Sequence, residues 1–222
     1  DVSSLQSGNY TGTISGAGTL QYSGSGTQVI ASSSTITYTG STIVDSGNLM
    51  VDADMSSSAM FVRTGATVSG IGTLGITTIE TGGTISPGNS PGILNVGGDL
   101  TLAAASAMVA EISGTAVGTG YDQLAVAGAV NVTDADLTIV LTGSYTSGDM
   151  FILINNDGVD AIVGEFSGAA EGATVLSVGG LDYVASYTMG DGNDFGLTAV
   201  PEPSVSLLAG LGALALMRRR RA

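Results

Sequence analysis

The chain of 222 residues holds 35 Gly, 19 acids and 5 Arg, with no Lys, His, Cys or Trp, and a net charge of -14. Residues 1–217 set one cation, Arg63, against all 19 acids, a net of -18, which excludes a phosphate-neutralising, nucleic-acid-binding role. Without His or Cys there is no imidazole base, thiol nucleophile, zinc centre or disulfide framework, and at 43% hydrophobic the chain is not a solvated acidic tail.

From the first residues the pattern is strand-like. Single or paired Val, Ile and Leu alternate with Thr and Ser, as in Thr35-Ile36-Thr37-Tyr38-Thr39, and Gly, Asn, Asp and Ser clusters punctuate the runs. Tyr10-Thr11-Gly12 returns as Tyr38-Thr39-Gly40. A Gly-x-Leu element recurs at Leu20, Leu49, Leu74 and Leu94, in steps of 29, 25 and 20 residues. Irregular periods of that size, built from short strands and Gly turns, predict a β-solenoid whose coils stack as parallel strands about 4.7–4.9 Å apart. Leu, Ile and Val would fill a narrow interior while Thr and Ser face out. An antiparallel β-sandwich with Gly-rich turns has the same alternation and remains the alternative.

Asp52 and Asp54 stand two residues apart, as do Asp134 and Asp136, and each pair is expected to share a strand face. Paired carboxylates serve glycoside hydrolysis when about 5 to 9.5 Å apart. Surface solubility and turn capping explain the same acids more simply, given a single body cation and an aromatic content of 5%. Between the pairs, Ile85-Ser86-Pro87-Gly88-Asn89-Ser90-Pro91-Gly92 reads as two successive Pro-Gly turns at a tight corner.

From Gly97 to about Val200 strands lengthen, as in Asp136-Leu137-Thr138-Ile139-Val140-Leu141 and Met150-Phe151-Ile152-Leu153-Ile154, and acids sit beside turns. Residues 1–100 are therefore expected to be solenoid repeats and 101–199 a continuation closed by hairpins, because an exposed last coil is an unpaired edge. Gly190-Asp191-Gly192-Asn193-Asp194 is similar to a calcium-binding β-roll turn, with Asp191, Asn193 and Asp194 as candidate ligands. It occurs once, not in tandem, and a hairpin turn between Tyr187 and Phe195 accounts for it equally.

Residues 200–222 differ from everything before them. Val200, Pro201, Glu202 and Pro203 form an extended, helix-poor segment. Val205, Leu207, Leu208, Leu211, Leu214, Leu216 and Met217 then mark an uncharged run, and Arg218, Arg219, Arg220 and Arg221 close it. Thirteen residues of helix span about 20 Å, short of a hydrocarbon core of roughly 30 Å. The Arg cluster acts as a cytoplasmic stop, since cations are retained on the inner side. A short, temporary transmembrane anchor fits this pattern better than a permanent span. At the other end, Asp1-Val2-Ser3-Ser4 has no Met and no apolar run, so the expectation is a removed leader or a longer coding region upstream.

Residues 9–100 resemble the autotransporter-associated β-strand repeat. The match rests on Tyr38-Thr39-Gly40-Ser41-Thr42-Ile43-Val44-Asp45-Ser46-Gly47-Asn48-Leu49-Met50-Val51, Gly70-Ile71-Gly72-Thr73-Leu74 and Ser86-Pro87-Gly88-Asn89-Ser90-Pro91-Gly92, with Tyr121-Asp122-Gln123-Leu124 later. That resemblance implies a right-handed parallel β-helix on an exported protein. The three-part ending resembles the PEP-CTERM sorting signal. It implies recognition by an exosortase-type processing enzyme, transient anchoring in the inner membrane of a Gram-negative-type bacterium, and delivery to the cell surface or an extracellular polysaccharide matrix.

The expected protein is therefore all-β: a right-handed parallel β-helix with a β cap and a short C-terminal transmembrane helix. Its expected function is structural or adhesive, with no catalytic residue, cofactor or nucleic-acid partner, and with extracellular polysaccharide as a candidate contact. The alternative is a polysaccharide-active enzyme, a lyase or glycoside hydrolase, on the same scaffold.

Overall fold

The computed structural model describes residues 8–203, which form strands and turns with no helix among them. The winding begins with β1 (Gly8–Tyr10) and β2 (Thr13–Ile14). The next coils bring β3 (Leu20–Ile30) and β4 (Thr35–Ile36), then β5 (Thr42–Val51) and β6 (Asp54–Met55). The following coils have three strands each: β7 (Met60–Val62), β8 (Ala66–Gly70) and β9 (Thr73–Leu74); β10 (Thr77–Ile79), β11 (Thr84–Pro87) and β12 (Ile93–Val96); β13 (Leu100–Leu102), β14 (Ala107–Ile112) and β15 (Gln123–Val126); and β16 (Val130–Asn131), β17 (Asp136–Leu141) and β18 (Met150–Asn156). Strands β3 and β5 bend at the corner and serve two faces at once.

Every neighbouring pair in this winding is parallel, so the chain coils in one sense around three faces. The first face stacks Leu20, Thr42, Met60, Thr77, Leu100 and Val130 in register. The second stacks Gln28, Leu49, Val68, Ile85, Met108 and Leu137. The third stacks Met55, Leu74, Val96, Val126 and Asn156. Alternation along each short strand sends these residues inward, and most are fully buried, whereas Thr67, Thr78, Thr84 and Thr101 lie on the outer side. One cluster of polar groups in the interior is paired: Thr42 Oγ1 bonds Ser58 Oγ at 2.8 Å and the Tyr38 hydroxyl, and Ser58 Oγ donates to Gly40 O at 2.8 Å.

The Gly-x-Leu element is not the coil period. Leu20 lies on the first face, Leu49 on the second, and Leu74 and Leu94 on the third, where their partners in register are Val96 and Leu124. Coil steps grow from 17 residues, Met60 to Thr77, to 30, Leu100 to Val130. The motif therefore drifts around the winding while the inward alternation sets the stacking. Lengthening coils also explain the altered texture after Gly97: parallel winding continues to Asn156, and the antiparallel strands come only after it.

Closure comes from three antiparallel strands, β19 (Thr174–Val178), β20 (Leu181–Met189) and β21 (Asp194–Pro201), which extend the third face from β18. Before them, residues 163–167 cover the last corner, with Val163 N–H bonded to Val130 O and Ser167 N–H to Ala135 O, both at 2.8 Å. Aromatic rings seal this end. Phe195 packs against Phe166 and Tyr187 at centroid distances of 4.9 and 4.7 Å, and Phe151 meets Tyr121 and Tyr145 edge-on at 5.5 and 5.2 Å. The Tyr187 hydroxyl accepts the Phe166 N–H and donates to Ala169 O, and burial pushes its pKa up to about 12.

Candidate functional site

The two acid pairs do not share strand faces. Asp52 and Asp54 straddle the corner between β5 and β6 around the buried Ala53. Asp134 sits at a left-handed corner, φ 56°, ahead of Asp136 at the start of β17. Corner residues must satisfy main-chain donors that the parallel ladders leave open, and the first pair does so. Asp52 Oδ1 accepts from Ile71 N–H at 3.3 Å and Asn89 Nδ2 at 3.1 Å, and Asp54 Oδ1 accepts Ser56 N–H at 2.9 Å. That Ser56 bonding also holds the Asp54 carboxyl below its ordinary pKa. Arg63, the sole cation among the described residues, is bonded to Asp45 at 2.6 Å across neighbouring coils.

In the sequence Asp122 is one more acid beside a turn, yet it holds the most constrained carboxylate. It is 1% exposed, at the start of the third face beneath the Ser86–Gly92 turn. Its Oδ1 accepts Gly92 N–H and its Oδ2 accepts Glu111 N–H, both at 2.8 Å. Ser90 Oγ meanwhile donates to Glu111 Oε2 at 2.6 Å. Two motifs 30 residues apart, Ser-Pro-Gly-Asn-Ser-Pro-Gly and Tyr-Asp-Gln-Leu, are thus one structural unit. Burial raises the Asp122 pKa to about 6, the two N–H bonds oppose that, and the Glu111 charge adds to it. With both oxygens engaged by main chain, this carboxyl is a clamp on a turn. The sequence marks it as part of the Tyr-Asp-Gln-Leu motif but not as a buried carboxyl, because only the stacking of two coils buries it.

The candidate calcium turn is likewise drawn into the fold. Asn193 Nδ2 donates to the carbonyls of Gly158 at 2.7 Å and Asp160 at 3.1 Å, and Asp194 Oδ1 accepts Asn156 N–H at 2.8 Å. Burial raises the Asp194 pKa, the Asn156 and Asp191 N–H bonds oppose that, and the Asp191 charge adds to it. The Oδ1 atoms of Asn156 and Asn193 are buried without a protein partner. Calcium takes six to eight oxygens, whereas among the described residues no three acidic side chains are grouped to hold a metal. The expected result is one melting temperature in calcium and in chelator. A rise in calcium would instead make Asp191, Asn193 and Asp194 a cation site.

The C-terminal segment emerges from the cap without a linker. Strand β21 is central, with β18 on one side and β20 on the other. Ala199 is fully buried, bonded on one side through its N–H to Asp149 O at 2.9 Å and through its C=O to Gly148 N–H at 2.8 Å. Val200 lies opposite Asp182 and Pro201 opposite Leu181, and Glu202 N–H reaches Gly180 O at 3.1 Å. Beyond Val200, the side chains of Pro201, Glu202 and Pro203 are exposed. The apolar residues Val205 to Met217 and the cluster Arg218 to Arg221 lie outside the described residues. No helix among those described is long and apolar enough to cross a membrane.

Residues 199–221 match the PEP-CTERM protein-sorting motif. The chain carries a PEP-CTERM sorting signal. A PEP-CTERM motif marks an exported protein sorted to the surface and is generally recognised by an exosortase. The body has a relative of its own. The adhesin BmaC autotransporter of Brucella suis biovar 1 (strain 1330) is 36% identical over 83 residues, which is 36% of this chain and 2% of that protein. The chain thus matches a small portion of a far longer adhesin, while its PEP-CTERM signal begins inside the last strand of the cap.

Proposed function

We propose that this is a non-enzymatic scaffold of the cell surface or extracellular matrix, a right-handed parallel β-helix delivered by its PEP-CTERM tail. The observation that carries this reading is the direct attachment of a sorting signal to the antiparallel cap that closes a stacked parallel solenoid. The right-handed sense follows from the strong preference for right-handed parallel crossovers. Val205 to Met217 serve as a short membrane anchor, Arg218 to Arg221 hold its inner end, and an exosortase-type enzyme then frees the body. The adhesin named among its relatives supports a structural or adhesive role, with the acidic, Thr- and Ser-rich outer faces as the contact surface and extracellular polysaccharide as the ligand class. The non-enzymatic reading is supported by the engagement of Asp52, Asp54, Asp122 and Asp194 in main-chain bonds, which leaves them poorly placed for acid–base work.

Deleting residues 201–222 and fractionating cells tests the delivery. Loss of the body from the surface fraction is expected, and unchanged surface delivery would overturn the reading. Screening the purified body against acidic and neutral polysaccharides tests the scaffold role. Turnover abolished by replacing Asp52 or Asp134 would turn the protein into a polysaccharide-active enzyme.

A further inference from the structure

A processing enzyme reads its substrate as an extended chain with a free main chain, so pairing decides where it can cut. Here the sorting signal divides at one residue. Ala199 is hydrogen-bonded to the Gly148–Asp149 segment and faces Tyr183 across the sheet, and Val200 and Pro201 continue the pairing with β20. The last of these bonds is Glu202 N–H to Gly180 O. That carbonyl belongs to the Gly179-Gly180 turn, whose positive φ values, 65° and 80°, only Gly adopts readily. The side chains of Pro201, Glu202 and Pro203 nonetheless stand exposed. Recognition and cutting are therefore separable: the three side chains can be read on the folded body, whereas the main chain before Glu202 is held in the sheet, on both sides up to Ala199 and on the β20 side at Val200 and Pro201. Glu202 also lies three residues before the apolar run, at most about 10 Å of extended chain. The cap and its 179–180 turn must then sit against whatever binds the signal.

Resting on the sorting reading above, we infer that the folded cap is a positioning element for processing: it shields every peptide bond up to Pro201–Glu202 and confines cleavage to the bonds beyond Glu202. The reaction breaks one such bond, passing the acyl carbon to water or to an amine acceptor and releasing the tail with a new amino terminus. The mature body then keeps Pro201 at the end of its last strand and Glu202 just after it.

Two measurements on the full chain test this. Mass spectrometry of the body released from cells should place its terminus at Glu202 or later, and a terminus at Ala199, Val200 or Pro201 would overturn the proposal. Proteinase K treatment of the detergent-solubilised full chain should cut bonds preceding Glu202 roughly tenfold or more slowly than in Gly180→Pro, whose ring cannot adopt the turn's φ. A second variant, with Gly-Ser-Gly-Ser inserted after Ala199, leaves β21 intact to that point and should open Val200–Glu202 to cutting. Equal rates in wild type and both variants would overturn the proposal. Recovery of the chain from cells with Ala222 still in place would sink the sorting reading alone, and the proteinase boundary would then decide the shielding by itself.

Discussion

Replacing Gly70 with Ala is expected to lower stability by about 4 kcal/mol, a large share of the 5–15 kcal/mol typical of a folded domain. Two effects combine. Gly70 has a φ of 116°, where a side chain costs about 1–3 kcal/mol. Its added Cβ would also meet Val51 O at 2.1 Å and Val51 C at 2.6 Å. The obstacle is main chain of the preceding coil, held by the Gly72 N–H bond to Val51 O at 2.9 Å and by a fully buried Val51 side chain. Overpacking against so fixed a neighbour adds about 1–3 kcal/mol. Gly148→Ala is the control: its φ is 99° but nothing lies within 4 Å of the new Cβ, so only the conformational cost of about 1–3 kcal/mol applies. Urea unfolding of the two variants checks this, and equal losses would remove the claim that close coil stacking at this corner demands Gly.

Lowering the pH from 7 to about 4.5 should stabilise the body, contrary to the usual acid loss of stability. Asp122 titrates at about 6 in the fold and near 3.8 in the unfolded chain. Between those values the folded state binds the proton and the unfolded state does not, so stability falls as pH rises through this window. The contribution is complete below 3.8, is lost by about pH 6, and amounts to about 3 kcal/mol. Asp194, raised in the same direction, adds to the slope, and the lowering at Asp54 opposes it. Asp122→Asn should flatten the profile, since it keeps one acceptor for Gly92 or Glu111 and cannot ionise. Asp122→Ala is the blunter probe, because it strands two buried N–H donors. The measurement is the denaturant midpoint at pH 4.5 and 7 for wild type and Asp122→Asn. A wild-type midpoint that rises with pH would refute the assignment.

Both predictions concern contacts between coils, and that is where the sequence is least informative. The alternation in Thr35–Thr39 or Asp136–Leu141 marks strands because a two-residue period is local. The Gly-x-Leu steps resemble a coil repeat because they are of solenoid size, but corner lengths change from coil to coil and carry Leu20, Leu49 and Leu74 onto three different faces. The pairs Asp52/Asp54 and Asp134/Asp136 suggest shared faces because their spacing matches a strand, and the structure inserts a corner in each. Asp122 is legible in the sequence as part of the Tyr-Asp-Gln-Leu motif but not as a buried group, because an acid beside a turn is ordinarily solvated. Its burial depends on the Ser86–Gly92 turn and on Glu111, which the winding brings from 30 and 11 residues away.

By itself the sequence determined what depends on residue type and short-range order. The absence of His, Cys and Lys and the all-β texture are of that kind, whereas the choice of parallel coils over an antiparallel sandwich rests on pairing between distant strands. Also legible in short-range order is the ending of Pro-Glu-Pro, apolar run and Arg cluster, whose three parts are consecutive and need no partner elsewhere in the chain. Tertiary structure alone decided which side chains stack, which carboxylates are desolvated, and how the signal joins the body. The physical reason is that burial and pairing are set by residues distant in sequence: Val200 and Pro201 read as an extended linker until β20 and its Gly180 carbonyl make them the end of a sheet.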